Sequence, residues 1–324
     1  MTGVAVLGAG MWAPRLAAAA QRAGLEVVTC HCRDGRRRRE FAERFRCEPA
    51  PSVEEAIGHP DVEGVLIVTP NDVHLEHTLA SAALGRHVFV EKPIADTLEA
   101  GELMREACLD AGVVLMVGHA FRRLGAARRA KELIDDGAPG RVVLAEANMS
   151  LSGTFKPEAW RAQRSRNRGG PLMQLGIHHV DTLAYWLGRI RHATGRFAHL
   201  EAAADIDDVG VVQLEFESGA LGTLTGSSVS PKTLWLRLLG SEAVLEYRTD
   251  FSVWPDAQAL DGATTLTLGG ERVDFEERDM LAEELGEFGR SIRGEMGVET
   301  GAAEGLAALG VILQALDSQA EAVR

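Results

Sequence analysis

Between Val4 and Val117, short apolar runs alternate with stretches whose apolar residues recur at helical spacing. The runs Val4–Leu7, Glu26–Cys30, Gly64–Val68, His87–Val90 and Val113–Val117 are the right length for strands buried on both faces. Pro14–Ala23, Arg36–Phe45, Val53–Ile57, Val73–Leu84 and Leu98–Ala111 read as helices, with Pro14 and Pro51 as start signals and Gly24, Gly85 and Gly112 as stops. Repeated strand–helix units place successive strands parallel, so this half predicts a doubly wound α/β sheet.

After Phe121 the texture changes. A helix over Ala126–Asp136 leads to a strand over Arg141–Ser150, an irregular basic stretch, and a helix from Pro171 to Leu187. Longer strands follow at Val209–Glu217, Ala220–Ser228, Leu234–Leu239 and Ala243–Tyr247; turn residues such as Glu217-Ser218-Gly219 join them as antiparallel hairpins. Helices over Met280–Arg293 and Gly301–Ala320 close the chain. The prediction is an α+β domain with a large open antiparallel sheet. With 324 residues, the expected division is 1–121 and 122–324.

Charge and cysteine usage narrow the function classes. The formal net charge of −13 argues against a nucleic-acid partner recognised through the overall field. No run approaches the roughly 18 apolar residues of a membrane helix, and the strand pattern starting at Val4 leaves no room for a signal peptide, so a cytoplasmic protein is expected. Cys30, Cys32, Cys47 and Cys108 are too few for a disulfide framework, and the Cys30-His31-Cys32 run lacks a second ligand pair, so no metal is expected. Only four basic residues are lysines (Lys92, Lys131, Lys156, Lys232), so each is a candidate worth placing.

Gly8-Ala9-Gly10-Met11-Trp12-Ala13 lies between the first strand and the first helix and matches G-x-G-x-x-G/A. In that position Gly8 makes the tight turn, Gly10 lets the backbone approach a pyrophosphate, Ala13 keeps the helix close to the sheet, and the helix N-terminus favours the anion. Met11 and Trp12 fall within the same expected cofactor contact. An acidic residue ending the second strand would hold the ribose of NAD; here Cys32 stands at that place, with Arg33 directly after it. Arg33, helped by one of Arg36–Arg39, suits the 2′-phosphate of NADP, while an inward-turned Asp34 would favour NAD. NADP is the expected cofactor and NAD the alternative.

Two segments carry chemistry. Glu91-Lys92-Pro93 ends a strand on the carboxyl edge of the sheet, where open α/β folds bind ligands. Along the later helix, Gln174, His178 and Asp181 are spaced i, i+4 and i+7 and form one stripe, with the neighbouring His179 on another face and structural.

Taken together, Gly8-x-Gly10-x-x-Ala13, Thr69-Pro70-Asn71 with His74, Glu91-Lys92-Pro93, Gly118-His119 with Arg122, Trp160-Arg161 and Gly176-x-His178-x-x-Asp181 resemble the Gfo/Idh/MocA family, the glucose-fructose oxidoreductase and inositol dehydrogenase group. The resemblance covers almost the whole chain. It implies a Rossmann domain followed by a domain whose sheet mediates a homodimer or homotetramer, and NAD(P)-dependent oxidation or reduction of a sugar or cyclitol carbon. It further implies that Thr69, Pro70, Asn71, His74, Glu91 and Lys92 contact the cofactor, and that Lys92 and His178 touch the substrate hydroxyl. An imidazole with an ordinary pKa of roughly 6.5 suits proton removal from a secondary alcohol, and the compact Lys92 cation suits a developing alkoxide.

Many members carry aspartate where this chain has Gln174, which orients a hydroxyl but cannot titrate. Acid–base work then falls to His178 and Lys92. Arg122, Arg123, Trp160, Arg161, Arg164, Arg166 and Arg168 form a basic segment; Arg122, Trp160, Arg161 and Gln174 are expected substrate contacts, which suggests an anionic sugar. A non-catalytic dinucleotide-binding regulator of the same fold is the alternative reading.

Overall fold

The computed structural model describes residues 1–153, 159–254 and 256–321. β1 (Thr2–Leu7) is buried along its whole length, as its unbroken apolar run requires. It lies inside a six-stranded sheet with β2 (Leu25–His31), β3 (Glu48–Pro49), β4 (Gly64–Ile67), β5 (His87–Glu91) and β6 (Leu115–Gly118), in the order β3-β2-β1-β4-β5-β6. Every pairing is parallel. Helices α1 (Ala13–Arg22), α2 (Gly35–Phe45), α3 (Val53–Gly58), α4 (His74–Ala83) and α5 (Leu98–Asp110) are the crossovers. The strand order reverses between β1 and β4, and this switch point opens a crevice beyond the carboxyl ends of the strands.

The second sheet has eight strands. α6 (Gly125–Asp135) precedes β7 (Val142–Ser150), and a π-helical turn at Leu172–Gly176 runs into α7 (Ile177–Leu187). β8 (Ile190–Ala198), β9 (Val209–Phe216), β10 (Leu221–Ser227), β11 (Thr233–Gly240), β12 (Val244–Thr249), β13 (Thr264–Leu268) and β14 (Glu271–Arg272) complete it in the order β14-β13-β12-β11-β7-β10-β9-β8. The hairpins are antiparallel as expected, but β7 and β10 pair in parallel, so the sheet is mixed. Turn residues report only how consecutive strands pair, and β7 and β10 are not consecutive.

The chain divides into Met1–His119 with Leu281–Leu306, and Ala120–Met280 with the residues from Ala307 onward. A single cut at 121/122 therefore misplaces one stretch, which contains most of α8 (Met280–Ile292) and the first turn of α9 (Ala302–Glu321). Phe288 meets the Phe89 ring edge-on at 5.9 Å between centroids. Val117 N–H donates to the Thr300 carbonyl at 2.7 Å, and Thr300 Oγ1 donates to the Val117 carbonyl at 2.8 Å, which covers the outer edge of β6. Periodicity identifies an apolar helix face but not the surface that receives it.

In the second unit the outward N–H groups of edge strand β8 are met by side chains of α9: Ala193 donates to Gln314 Oε1 at 2.7 Å, Gly195 to Ser318 Oγ at 3.0 Å, and Phe197 to Gln319 Oε1. A capped edge cannot recruit a further strand. No helix among the described residues is long and apolar enough to cross a membrane.

The loop between β8 and β9 is tied to the buried Asp208, which accepts from Leu200 N–H at 2.9 Å and from Glu201 and Ala202 N–H at 2.7 Å each. Burial pushes its pKa up, but the three N–H groups outweigh it and hold the carboxyl below the usual aspartate value. A carboxyl depressed in the folded state stabilises above its unfolded pKa, and that contribution is lost on acidification. Asp208→Asn is therefore expected to lower Tm at pH 7, with the gap to wild type closing towards about pH 3 in a pH series of thermal melts.

Candidate active site

The glycine-rich loop is built at the end of β1. Gly8 has φ +108°, and a Cβ there would lie 2.6 Å from the Val68 carbonyl oxygen, so only glycine passes between β1 and β4. At Gly10 a Cβ would meet nothing within 4 Å, leaving open space above the backbone. α1 starts without a side-chain cap and without an acidic residue in its first turn. This uncapped N-terminus beside a bare backbone fits the pyrophosphate of a dinucleotide.

Within the loop, Ala13 is fully buried and Met11 is 77% exposed. Trp12 Nε1 donates to Glu91 Oε1 at 2.7 Å, and Arg15 donates to the Met11 carbonyl at 2.6 Å with its guanidinium 5.6 Å from the Trp12 ring centroid. Glu91 and Trp12, each expected to contact the cofactor, are therefore bonded to each other and tie the loop to the end of β5. Arg15 is a cation at the phosphate end of α1 that the motif alone does not single out.

At the end of β2, Asp34 caps α2, its Oδ1 accepting from Arg36 N–H at 3.0 Å and Arg37 N–H at 3.1 Å. The Arg37 N–H, with Arg36 behind it, holds the carboxyl below its usual value. Asp34 is thereby engaged away from the inward role that would favour NAD. Arg33 is exposed, and Arg38 donates to the Cys32 carbonyl at 3.1 Å, so two guanidinium groups flank the end of this strand. The half-buried Cys32 donates its thiol to the Asp34 carbonyl at 3.2 Å.

Beyond β4, Thr69 Oγ1 lies 3.2 Å from His77 Nδ1, and Asn71 is buried. His74, an expected cofactor contact, is 0% exposed. Its Nε2 lies 3.0 Å from the Thr69 carbonyl oxygen, and its Nδ1 lies 3.1 Å from that of Pro93 and 3.2 Å from that of Ile94. The imidazole therefore bridges the Thr69-Pro70-Asn71 loop to the segment bearing Lys92. Lys92 is half-buried, and its peptide bond to Pro93 is cis. Of the other lysines, Lys131 pairs with Asp135, Lys232 donates to the Trp254 carbonyl at 3.2 Å, and Lys156 lies outside the described residues.

In the second unit, the expected single stripe of Gln174, His178 and Asp181 is split among three partners. The π-turn at Leu172–Gly176 widens the winding just where Gln174 sits, so 3.6-residue spacing does not carry through to His178. Gln174 bonds to Arg161 and Asn167, His178 stacks on Phe121 at 4.4 Å between centroids, and Asp181 accepts from Arg122 Nε at 2.9 Å. Arg122, expected on the substrate, is buried, bidentate to Asp181, and 5.0 Å from the Tyr185 ring centroid. Burial pushes the neighbouring His179 down to about 4, while its Nε2 lies 3.2 Å from the Asn148 carbonyl oxygen, consistent with a structural role.

The basic segment is similarly divided. Arg164 pairs with Asp205 and Asp207, and Arg168 with Asp317, whereas the Arg161 guanidinium lies 4.3 Å from the Trp160 ring centroid.

Two family models match: the NAD-binding Rossmann-fold domain of the GFO/IDH/MocA oxidoreductases over residues 2–119, and the GFO/IDH/MocA C-terminal domain over residues 127–246. A crystal structure from Desulfitobacterium hafniense, described as an NADPH-dependent oxidoreductase, is 34% identical and superposes with a TM-score of 0.95, covering 99% of this chain and 96% of that one. The chain belongs to the GFO/IDH/MocA family. Among curated relatives, 1,5-anhydro-D-fructose reductase of Ensifer adhaerens is 33% identical over 52% of this chain and 52% of its own length. The NADP-dependent D-xylose 1-dehydrogenase of Haloarcula marismortui is 31% identical over 70% of this chain and 64% of its own length. The match thus spans between about half and just under two thirds of these curated relatives.

Membership of the GFO/IDH/MocA family accounts for the Rossmann sheet and the NAD(P)-binding loop. It does not single out the residues that hold the motifs in place. Arg15, His77, Phe121 and Asn167 each contact an expected site residue, and only their positions in the fold identify them.

Proposed function

We propose that this protein is an NAD(P)-dependent dehydrogenase or reductase that transfers a hydride between the nicotinamide and a secondary alcohol or ketone carbon of a sugar, sugar derivative or cyclitol. The observation that carries this reading is the placement of Lys92. It directly follows Glu91, whose carboxylate is bonded to Trp12 of the cofactor loop, so the ammonium is borne by the residue next to the nucleotide cradle. The activities named for the Ensifer and Haloarcula relatives support it.

Bound NAD(P) supplies the hydride acceptor or donor. Lys92 stabilises negative charge developing on the substrate oxygen, and His178, its ring oriented by Phe121, takes or returns the hydroxyl proton. Gln174, Trp160 and Arg161 orient the substrate, and the Arg161 guanidinium favours an anionic sugar. Thr69, Pro70 and Asn71 border the nicotinamide end. The assembly is a homodimer or homotetramer, which light scattering distinguishes from a monomer.

NADP is the preferred cofactor, because Asp34 is engaged in capping α2 while Arg33 and Arg38 flank the end of β2. Steady-state kinetics with both cofactors test this. The Arg33→Ala variant is expected to lose roughly tenfold or more in kcat/KM for NADP and little for NAD. A wild-type preference for NAD would remove Arg33 from this role. Absorbance at the nicotinamide band, followed with a panel of sugars and cyclitols, tests the activity itself.

A further inference from the structure

We propose that Arg36, Arg37 and Arg39, on the first turns of α2, steer NADPH to the end of β2, so that they set how fast the cofactor arrives rather than how long it stays. The inference deepens the NADP reading above and rests on it.

The chain as a whole repels such a ligand. Its formal net charge is −13, and NADPH carries about four negative charges, against about two for NADH, which lacks the phosphate monoester. Within this acidic chain, residues 33–46 hold seven arginines and only three acidic residues. α2 runs through that segment directly after β2, at whose end a Rossmann sheet receives the adenosine ribose.

Helix stability does not explain the cluster. Cations at the start of a helix oppose its macrodipole and repel one another, yet α2 opens with four consecutive arginines and has no acidic residue in its first turn. Packing does not require them either, because the face that α2 buries consists of Phe41, Ala42 and Phe45. Arg36 pairs with Glu40 at 3.5 Å and Arg37 with Asp34 at 3.7 Å, but these pairs leave the segment its surplus of arginines. Charge placed against the interest of the helix points to a ligand of opposite sign.

Direction matters as well as charge. Side chains of a helix lean towards its N-terminus. A Cβ at Gly35, the first residue of α2, would accordingly lie 3.6 Å from Arg39 Nη1 and 3.8 Å from Arg38 Nη2. Both guanidinium groups are thus folded back over the start of the helix, and Arg38 reaches the Cys32 carbonyl at the end of β2. The Arg36 and Arg37 side chains are 73% and 62% exposed, so their field extends into solvent. Its reach is about 30 Å at an ionic strength of 0.01 M and about 8 Å at 0.15 M. A site edged by one sign of charge raises the association rate of an oppositely charged ligand by roughly 10–10³.

The test is stopped-flow fluorescence of the reduced nicotinamide, which reads kon and koff for NADPH and NADH. For wild type, kon for NADPH is expected to fall about tenfold between roughly 0.01 and 0.15 M salt, and kon for NADH distinctly less. The triple variant Arg36→Gln, Arg37→Gln, Arg39→Gln is expected to lose about tenfold in kon for NADPH at low salt, with koff within about twofold of wild type and most of the salt dependence gone. Arg36→Glu with Arg39→Glu, which supplies the acidic first turn that the macrodipole favours, is expected to slow association at least as much without lowering Tm. Arg129→Gln with Arg189→Gln and Arg191→Gln removes the same charge from α6 and β8 and is expected to leave kon within about twofold. Salt-independent association of NADPH, a triple variant that changes koff instead of kon, or an equal loss in the α6 and β8 variant overturns the proposal and leaves the NADP reading standing. Tighter binding of NADH than of NADPH by wild type defeats that reading and the proposal with it.

Discussion

Replacing Lys92 with alanine is expected to lower kcat by roughly 10²–10⁴ while NADPH binds with nearly wild-type affinity. The two effects separate because of where the residue sits. The cradle is built from the Gly8 turn, the open space at Gly10 and the uncapped start of α1, and its link to β5 runs through Glu91 and Trp12. These links of the cradle run through Gly8, Gly10, Trp12 and Glu91, so truncation at position 92 is expected to remove an ammonium from the reacting oxygen and to leave the phosphate end in place. His178→Ala is expected to show a loss of the same order, with the acidic limb of the pH–rate profile altered, since an imidazole that accepts the proton must be neutral first. Steady-state kinetics beside a fluorescence titration of NADPH read both quantities. Turnover near wild type in either variant removes that residue from the mechanism, and a matching collapse of NADPH affinity for Lys92→Ala reassigns it to cofactor binding.

How much of this was legible in the sequence follows from the physics of each element. The parallel half announces itself because its strands are buried on both faces and each is bounded by a glycine, proline or helix start; β1 and β4 emerge within two residues of their expected bounds. β8 gives no such signal. Its buried residues Ala193 and Phe197 are four apart, with Gly195 between them, where a Cβ would come 3.0 Å from Ala315 of the covering helix. Strict alternation is lost there to make room for α9. The π-turn is equally silent, since Leu172–Gly176 is apolar enough to continue an ordinary helix and only the backbone shows the wider winding. Residue types nominate Lys92, His178 and Gln174 for the chemistry. The pairing of Trp12 with Glu91, 79 residues away, and of Arg122 with Asp181, 59 residues away, depends on the fold and is written in no local pattern.

His74→Ala is expected to cost about 3 kcal/mol or more, on the order of a 10 °C drop in Tm, although the residue need touch neither substrate nor cofactor. The ring is wholly buried and lies within hydrogen-bonding distance of the Thr69, Pro93 and Ile94 carbonyls. Truncation leaves a cavity, deprives buried carbonyl groups of their partner, and releases the loop after β4 from the segment bearing Lys92. Catalysis is expected to fall with stability: KM for NADPH rises because Thr69–Asn71 is no longer held, and kcat drops because Lys92 loses its register. His74→Gln, which retains one donor, is expected to recover part of both. Burial lowers the His74 pKa, against the opposing pull of the Thr69, Ile94 and Pro93 carbonyls. The unfolded chain therefore binds the proton more readily than the folded one, so this residue's stabilisation is complete above the ordinary histidine pKa of about 6.5 and declines as pH falls below it. The Tm gap between wild type and His74→Gln is accordingly expected to narrow from pH 7.5 towards about pH 5. A gap that widens on acidification would mean that His74 is held as a cation, and an alanine variant with wild-type Tm and kinetics would show that the two loops keep their places without it.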